Sequence, residues 1–379
     1  MKKFFVISIA VILILSLVSC SSESKKEETA TSDTEGGDAI NIGFIGPLEG
    51  DVSVYGIAVS NGGEMALNDY NEANGTNYKL VKMDSKGDST EAVNAYNKLV
   101  EESKVAGILG GTVSGESIAV GTASQGIGTP IISPSATAKE FTLTGSNVFR
   151  GCFTDPYQAK VMAEFAVDKL GAKTAAVIYD TGSDYSKGMA ENFSAAFEAK
   201  GATVVQNEGY NTGDVDFNAQ LTKIAASNVD VLFVPNYYKD DYLIAKQARD
   251  LGIKATILGG DGWDGILEVA DDVSNIEGVI YVNHYAPDDE KVAKWIEKYK
   301  ETYSIDPNAF SVLGYDSMNI LLEAISSSES KSPEDVVAAM VKTDYTGILG
   351  NLKFDENGDP IKDLAFIVIK DGKSVTYGE

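Results

Sequence analysis

The 379-residue chain has one histidine, two cysteines and two tryptophans, and only 31 basic residues against 56 acidic ones. Each shortage removes a class of function. His284 is the sole histidine, and Cys152 has no CxxC partner, so a zinc ligand set of ordinary spacing is missing. A Ser-His-Asp triad would have to use that one imidazole, and no GxSxG elbow is present. No GxGxxG or GxxxxGK[ST] phosphate cradle occurs; Gly43-Phe44-Ile45-Gly46 lacks the spacing. Asp355-x-Asn357-x-Asp359 starts like a calcium loop, but Pro360 and Phe366 stand where glycine and glutamate belong, so a polar hairpin turn is expected there. The formal net charge of −25 argues against nucleic acid or anionic lipid as a partner. No enzyme, cofactor or metal is expected.

What is present begins at the N-terminus. Lys2 and Lys3 precede an apolar run from Phe4 to Val18, and Leu17-Val18-Ser19-Cys20 closes it. A positive start, an apolar stretch and small residues before a cleavage point define a secretory signal. The run is too short for a comfortable membrane span. Leu-Val-Ser-Cys resembles the lipobox of bacterial lipoproteins, which implies residues 1–19 as signal peptide and Cys20 as the lipidated first residue. Two acyl chains anchor where one does not. Loss of Lys2 and Lys3 takes the charge from −25 to −27. Residues 20–38 are then a polar linker, too poor in apolar groups to offset their ordering entropy and able to span roughly 20–25 Å as a coil. Cys152, left alone, is expected as a buried, inert thiol.

From Ile40 the chain alternates β-branched runs with longer amphipathic segments, and its length favours two domains. Strands are expected at 40–46, 78–83, 106–109 and 130–133, with helices at 56–74, 89–102 and 115–125 between them. A second series of the same order runs from 158 to 260. In each half the first strand leads through a tyrosine-bearing loop (Tyr55, Tyr185) into a glycine-bearing helix. The expectation is an α/β chain of two Rossmann-like, doubly wound lobes with a cleft between them. Further helices follow at 290–303, 311–326 and 333–342, then a hairpin of 349–354 with 364–370 through Asp355–Asp359. Residues 39–155 plus 283–345 are assigned to lobe 1 and 156–282 plus 346–379 to lobe 2, with a three-strand hinge that allows bending and resists twisting.

Polar residues collect at strand ends. Gly110-Gly111-Thr112-Val113-Ser114 and Ser133-Pro134-Ser135-Ala136-Thr137 each follow a buried strand and open toward a helix, where amides and hydroxyls suit a small carboxylate. The same residues also suit plain helix capping. In the second half Tyr185, Tyr237, Tyr238 and Asp261 occupy strand ends, and Asp261 suits an ammonium group or a cap for a helix near Asp264.

The order of these motifs resembles the substrate-binding proteins of branched-chain amino acid ABC transporters, the leucine/isoleucine/valine-binding family with the type I periplasmic binding fold. The likeness is carried by Ile42-Gly43…Gly46-Pro47-Leu48…Tyr55-Gly56, Ala66-x-x-Asp69, Gly110…Ser114, Ile131–Thr137, Asp180…Tyr185-x-x-Gly188, Gly314-Tyr315-Asp316 and Gly347…Leu352-x-Phe354-Asp355-x-x-Gly358. By resemblance Ser114, Ser135 and Thr137, with Ala136 beside them, hold a ligand carboxylate, and Tyr185 and Asp261 hold its ammonium. The family's acid is often glutamate, so the shorter Asp261 moves that anchor by about one methylene. Tyr55, Thr112, Val113, Tyr237 and Phe310, together with Trp263, are expected to shape the side-chain compartment. The resemblance implies a monomeric receptor for a free amino acid, branched-chain or otherwise apolar, that feeds a membrane permease. It would stand lipid-anchored by Cys20 on the outer face of the cell membrane, as in a Gram-positive exported protein. A ligand-sensing lipoprotein with the same clamp is the alternative.

Overall fold

The first half of the chain builds one parallel sheet. Its elements are β1 (Ile40–Gly46), α1 (Ser53–Asn74), β2 (Tyr78–Asp84), α2 (Ser89–Glu101), β3 (Ile108–Gly110), α3 (Ser114–Ala123), β4 (Ile131–Ser133) and β5 (Val148–Arg150). The strand order is β2-β1-β3-β4-β5, every pair parallel. Short buried runs such as Ile108-Leu109 and Ile131-Ile132 sit in the middle, as expected of strands covered on both faces. Asp88 fixes the start of α2 by accepting the Thr90 and Glu91 amides at 2.8 and 2.9 Å. The computed structural model describes residues 39–378; the expected signal peptide, Cys20 and linker lie outside them.

The second half repeats the plan with α4 (Asp155–Asp168), β6 (Thr174–Asp180), α5 (Asp184–Ala199), β7 (Thr203–Tyr210), α6 (Asn218–Ser227), β8 (Val231–Phe233), α7 (Tyr238–Asp250), β9 (Thr256–Gly259) and β10 (Ile280–Asn283). Its parallel strands run β7-β6-β8-β9-β10, the same order as in the first sheet. Both sheets therefore reverse direction beside their first strand, and in such sheets ligands bind at that switch point, beyond the carboxyl ends of the strands.

After β10 the chain returns to the first sheet with α8 (Ala293–Tyr303), α9 (Ala309–Ser327) and α10 (Pro333–Met340). Helix α9 packs along α1 and against β3 and β4. The approach is close because both helices offer glycine: a Cβ on Gly62 would lie 1.9 Å from the Ser311 carbonyl oxygen, and one on Gly314 would lie 2.5 Å from that of Val59. This packing sets Tyr55, in the first turn of α1, against Phe310, in the first turn of α9, with rings stacked 4.1 Å apart.

The last strands are β11 (Tyr345–Gly347), β12 (Gly350–Leu352), β13 (Ala365–Lys370) and β14 (Lys373–Thr376). Here the structure corrects the expected hairpin of 349–354 with 364–370. β12 pairs with β11, whereas β13 runs antiparallel to β10 on the open edge of the second sheet and turns into β14 through Asp371-Gly372. The apolar face of β13, with Ile367 and Ile369 fully buried, finds more cover on that sheet edge than a lone hairpin would provide. The segment 355–359 is instead a tight turn in which the Asp355 carboxylate accepts the Asn357 and Asp359 amides. The chain thus passes between the sheets three times, after β5, after β10 and before β13.

Candidate ligand-binding site

At the switch points the carboxyl ends of the two sheets face each other. Between them lies a cavity with about 220 Å³ of empty space, lined by Thr112, Val113, Ser114, Ser135, Thr137, Tyr185, Tyr237, Asp261, Gly262 and Phe310. Nine of the twelve residues expected to hold or shape a ligand line it. The other three, Tyr55, Ala136 and Trp263, are fully buried and do not. A larger groove, with about 1060 Å³ of mostly open space, lies between α9 and α10. It is far from both switch points and lined by acids, among them Glu323, Glu329 and Asp335.

The first-sheet wall is hydroxyl-rich and held from behind. Ser135 Oγ donates to the Thr112 carbonyl at 2.7 Å, and Ser133 Oγ accepts the Ala136 amide at 3.0 Å. Ser114 Oγ accepts the Ala138 amide at 3.3 Å, so its own O–H is a donor for an occupant. The amides just before α3 are less available than the strand-end motif suggests. Glu116 turns back and its Oε1 accepts the Thr112 and Val113 amides at 2.6 and 3.2 Å. Burial raises the Glu116 carboxyl to about 6. An anion at this helix therefore relies on the hydroxyls and on the amides from Ser114 onward.

Arg150, wholly buried at the end of β5, buttresses the same loop. Its guanidinium donates to the Ala136 and Ala138 carbonyls at 2.7 and 2.9 Å and pairs with Asp359 from the third passage between the sheets. Asp359, in the segment that starts like a calcium loop, is thus an arginine partner. Among the described residues no cluster of acids, histidine and cysteine suits a metal. Cys152 is buried, its thiol donates to the Ala136 carbonyl, and burial pushes its pKa up.

The second-sheet wall carries the acids. Tyr185 and Tyr237 stack with parallel rings 5.2 Å apart, and Tyr185 Oη accepts the Gly262 amide at 3.1 Å. Burial, reinforced by Asp261 and Asp155, holds the Tyr185 phenol well above its usual range, so it stays protonated. Asp261 caps no helix with its side chain. Its Oδ1 accepts Gln158 Nε2 at 2.9 Å, and its Oδ2 lies 3.1 Å from His284 Nε2. Gln158 returns the contact by accepting the Asp261 amide at 3.1 Å and donates also to Asp155 Oδ1 at 3.0 Å. Burial, helped by the charge of Asp261, raises the Asp155 carboxyl to about 8. Burial lowers His284, with Asp261 opposing in part, and the ring stacks on Phe153 at 3.8 Å. The sequence marks His284 only as a lone imidazole and does not mark Asp155, Gln158 or Gly262 as site residues. A Gln three residues into a helix and a lone histidine carry no local pattern.

Tyr55 joins the walls rather than facing the cavity. Its hydroxyl donates to the Gly262 carbonyl and accepts the Tyr238 amide at 3.1 Å. The Val54 amide reaches Tyr238 Oη at 3.4 Å, and Lys239 pairs with Asp51. Trp263 packs in the core, with Nε1 donating to the Val234 carbonyl at 2.7 Å. Nearby, Asp264 Oδ2 accepts the Ala309 amide at 2.6 Å and so ties the second lobe to the start of α9.

Two lobes of repeated doubly wound topology, closed over a cavity with hydroxyl donors on one wall and acids on the other, define a solute-binding clamp with the type I periplasmic binding fold. A family profile described as periplasmic binding protein matches residues 39–374. The Leu/Ile/Val-binding protein BraC3 of Rhizobium johnstonii is 31% identical over 84% of this chain and 88% of that one. Among solved structures, a leucine binding protein LivK from Thermotoga maritima superposes with a TM-score of 0.83 at 33% identity, covering 89% of this chain and 98% of that one. The branched-chain amino acid transporter substrate binding protein LivJ from Streptococcus pneumoniae, in complex with isoleucine, also gives 0.83, at 30% identity over 89% and 97%. The chain belongs to the branched-chain amino acid-binding family of periplasmic binding proteins, which are extracytoplasmic receptors and not enzymes.

Proposed function

We propose that this protein captures a free amino acid, branched-chain or otherwise apolar, between its lobes and delivers it to the permease of an ABC transporter. One observation carries the reading: a single cavity between the lobes has Ser114, Ser135 and Thr137 on one wall and Asp261 on the other. A zwitterion meets both walls at once, whereas a simple carboxylate leaves the Asp261 charge without a counter-charge and a simple amine leaves the Ser114 O–H without an acceptor. Val113, Phe310 and Tyr237 give the rest of the cavity an apolar lining suited to an aliphatic side chain. The isoleucine held by the Streptococcus relative supports the same class.

Residues 39–155 with 283–345 act as lobe 1 and 156–282 with the segment from β13 onward as lobe 2, bending about the three passages between the sheets; β11 and β12 stay with lobe 1, where Asp316 of α9 accepts the Ile348 and Leu349 amides. Lipid on Cys20 holds the monomer at the outer face of the cell membrane, where residues 20–38 leave it free to reach the permease. A thermal-shift screen of the twenty standard L-amino acids tests the reading. Leucine, isoleucine or valine should raise the melting temperature by mass action. A screen in which none of the twenty does so rejects it.

A further inference from the structure

Behind the Asp261 wall of the cavity stands a second buried acid, Asp155, which does not itself line the cavity. Asp155 and Asp261 share a single amide group, the Nε2 of Gln158, which donates to Oδ1 of both at 3.0 and 2.9 Å. The two acids are not equally served. Asp261 uses both oxygens, one toward Gln158 and one toward His284. Asp155 is 1% exposed, and its Oδ2 is buried without a hydrogen-bond partner. The Thr137 hydroxyl eases its charge but makes no hydrogen bond of ordinary geometry to that oxygen.

Among the described residues no cation forms an ion pair with either acid, and the field of Arg150 only partly eases Asp155. Arg150 is committed to Asp359 and to two loop carbonyls, and Lys362 donates to the Gly151 carbonyl at 2.9 Å. His284 is buried, and its Nδ1 also lacks a partner, which fits a neutral ring donating from Nε2. From α5 and the loop after β8 come only the phenols of Tyr185 and Tyr237, both held protonated by burial. A carboxyl this deeply buried, with one oxygen unpartnered, a second acid on the same amide group and no ion pair of its own, keeps a proton.

We propose that Asp155, linked to Asp261 through Gln158, holds a proton in the ligand-free clamp and gives it up when the ammonium group of an amino acid binds. The proton resides on Asp155, whose bare oxygen makes it the costlier anion. When the ligand enters, the Asp155 O–H bond breaks, its electron pair stays on the carboxylate, and the proton leaves to solvent. The ammonium keeps its three protons. The buried charge of the cluster is then the same before and after binding. The exchange gives Asp155 a role in specificity: a ligand without a cationic group cannot displace the proton. The raised Asp155 carboxyl, at about 8, agrees with this geometry. The inference rests on the amino-acid reading given above.

Calorimetric titration of L-leucine at pH 7.0, in phosphate and in Tris, counts the protons released. About 0.9 proton per leucine is expected for a group near 8 that becomes fully ionised on binding. Asp155→Asn should bring the count close to zero. Release below about 0.2 in the wild type, or undiminished release in the variant, overturns the inference. A ligand-free arm keeps the question decidable if the variant does not fold. In the wild type labelled with ¹³C at aspartate carboxyls, one buried carbon should titrate near 8, and a spectrum in which every aspartate titrates in the ordinary range overturns the proposal. If leucine produces no heat and no thermal shift, the leucine reading fails, and the carboxyl titration alone decides whether Asp155 holds a proton.

Discussion

The Tyr55 hydroxyl of the first lobe donates to the Gly262 carbonyl of the second and accepts the Tyr238 amide, so one phenol closes two hydrogen bonds across the cleft. Gly262 itself lines the cavity and its amide is held by Tyr185. The latch and the ligand wall are therefore neighbours on one short turn. Tyr55→Phe keeps the ring stacked on Phe310 and removes both bonds. Leucine affinity is expected to fall about three- to thirtyfold, the worth of one to two net hydrogen bonds. Calorimetry measures it, and an unchanged affinity would remove the latch from the closing equilibrium.

Arg150 is the strut of the hydroxyl loop. Arg150→Met leaves two loop carbonyls unpaired and Asp359 without its partner. A loss of about 3–5 kcal/mol in unfolding free energy is expected, the usual result of removing one partner of a buried ion pair. Urea unfolding followed by circular dichroism measures the loss. A change below about 1 kcal/mol would mean that the loop holds itself.

Thr112 lines the cavity, yet its Oγ1 is buried without a partner. Thr112→Val removes an unsatisfied hydroxyl at nearly constant shape. The ligand-free protein should lose nothing and gain up to about 1 kcal/mol. Leucine should bind at least as well as before. A fall in stability of about 2 kcal/mol would show that the hydroxyl is bonded.

Glu116 gives stability a pH dependence with a definite sign. Its folded-state pKa is raised to about 6 from an unfolded value of 4.5. Between those values the unfolded chain has lost the proton while the folded one keeps it. The contribution is complete below 4.5 and is lost as pH rises to about 6. Glu116→Gln should flatten the melting-temperature profile across that window relative to wild type, and parallel profiles would refute the assignment.

The parts legible in the sequence are those encoded locally. β1, β3 and β4 are apolar runs bounded by glycine, proline or serine, and Thr112, Ser114, Ser135 and Thr137 follow them within a few residues. Asp261 likewise follows β9 at once. The parts not legible are made by long-range closure. Gln158 meets Asp261 across 103 positions, and Arg150 meets Asp359 across 209. The lone His284 had no cysteine or second histidine near it to suggest a role, and its partner is set by where β10 ends beside β9. The C-terminal hairpin misled for a related reason: β13 alternates equally well for either partner, and the free edge of β10 decides the choice.

Recognition of both ends of a zwitterion can be read from ligand analogues. Calorimetry compares L-leucine with 4-methylpentanoate, which lacks the ammonium, and with leucinamide, which lacks the carboxylate. L-Leucine is expected to bind, with each analogue weaker by about a hundredfold or more, since one loses the counter-charge for Asp261 and the other the acceptor for the hydroxyl wall. Either analogue binding as tightly as L-leucine would contradict the account.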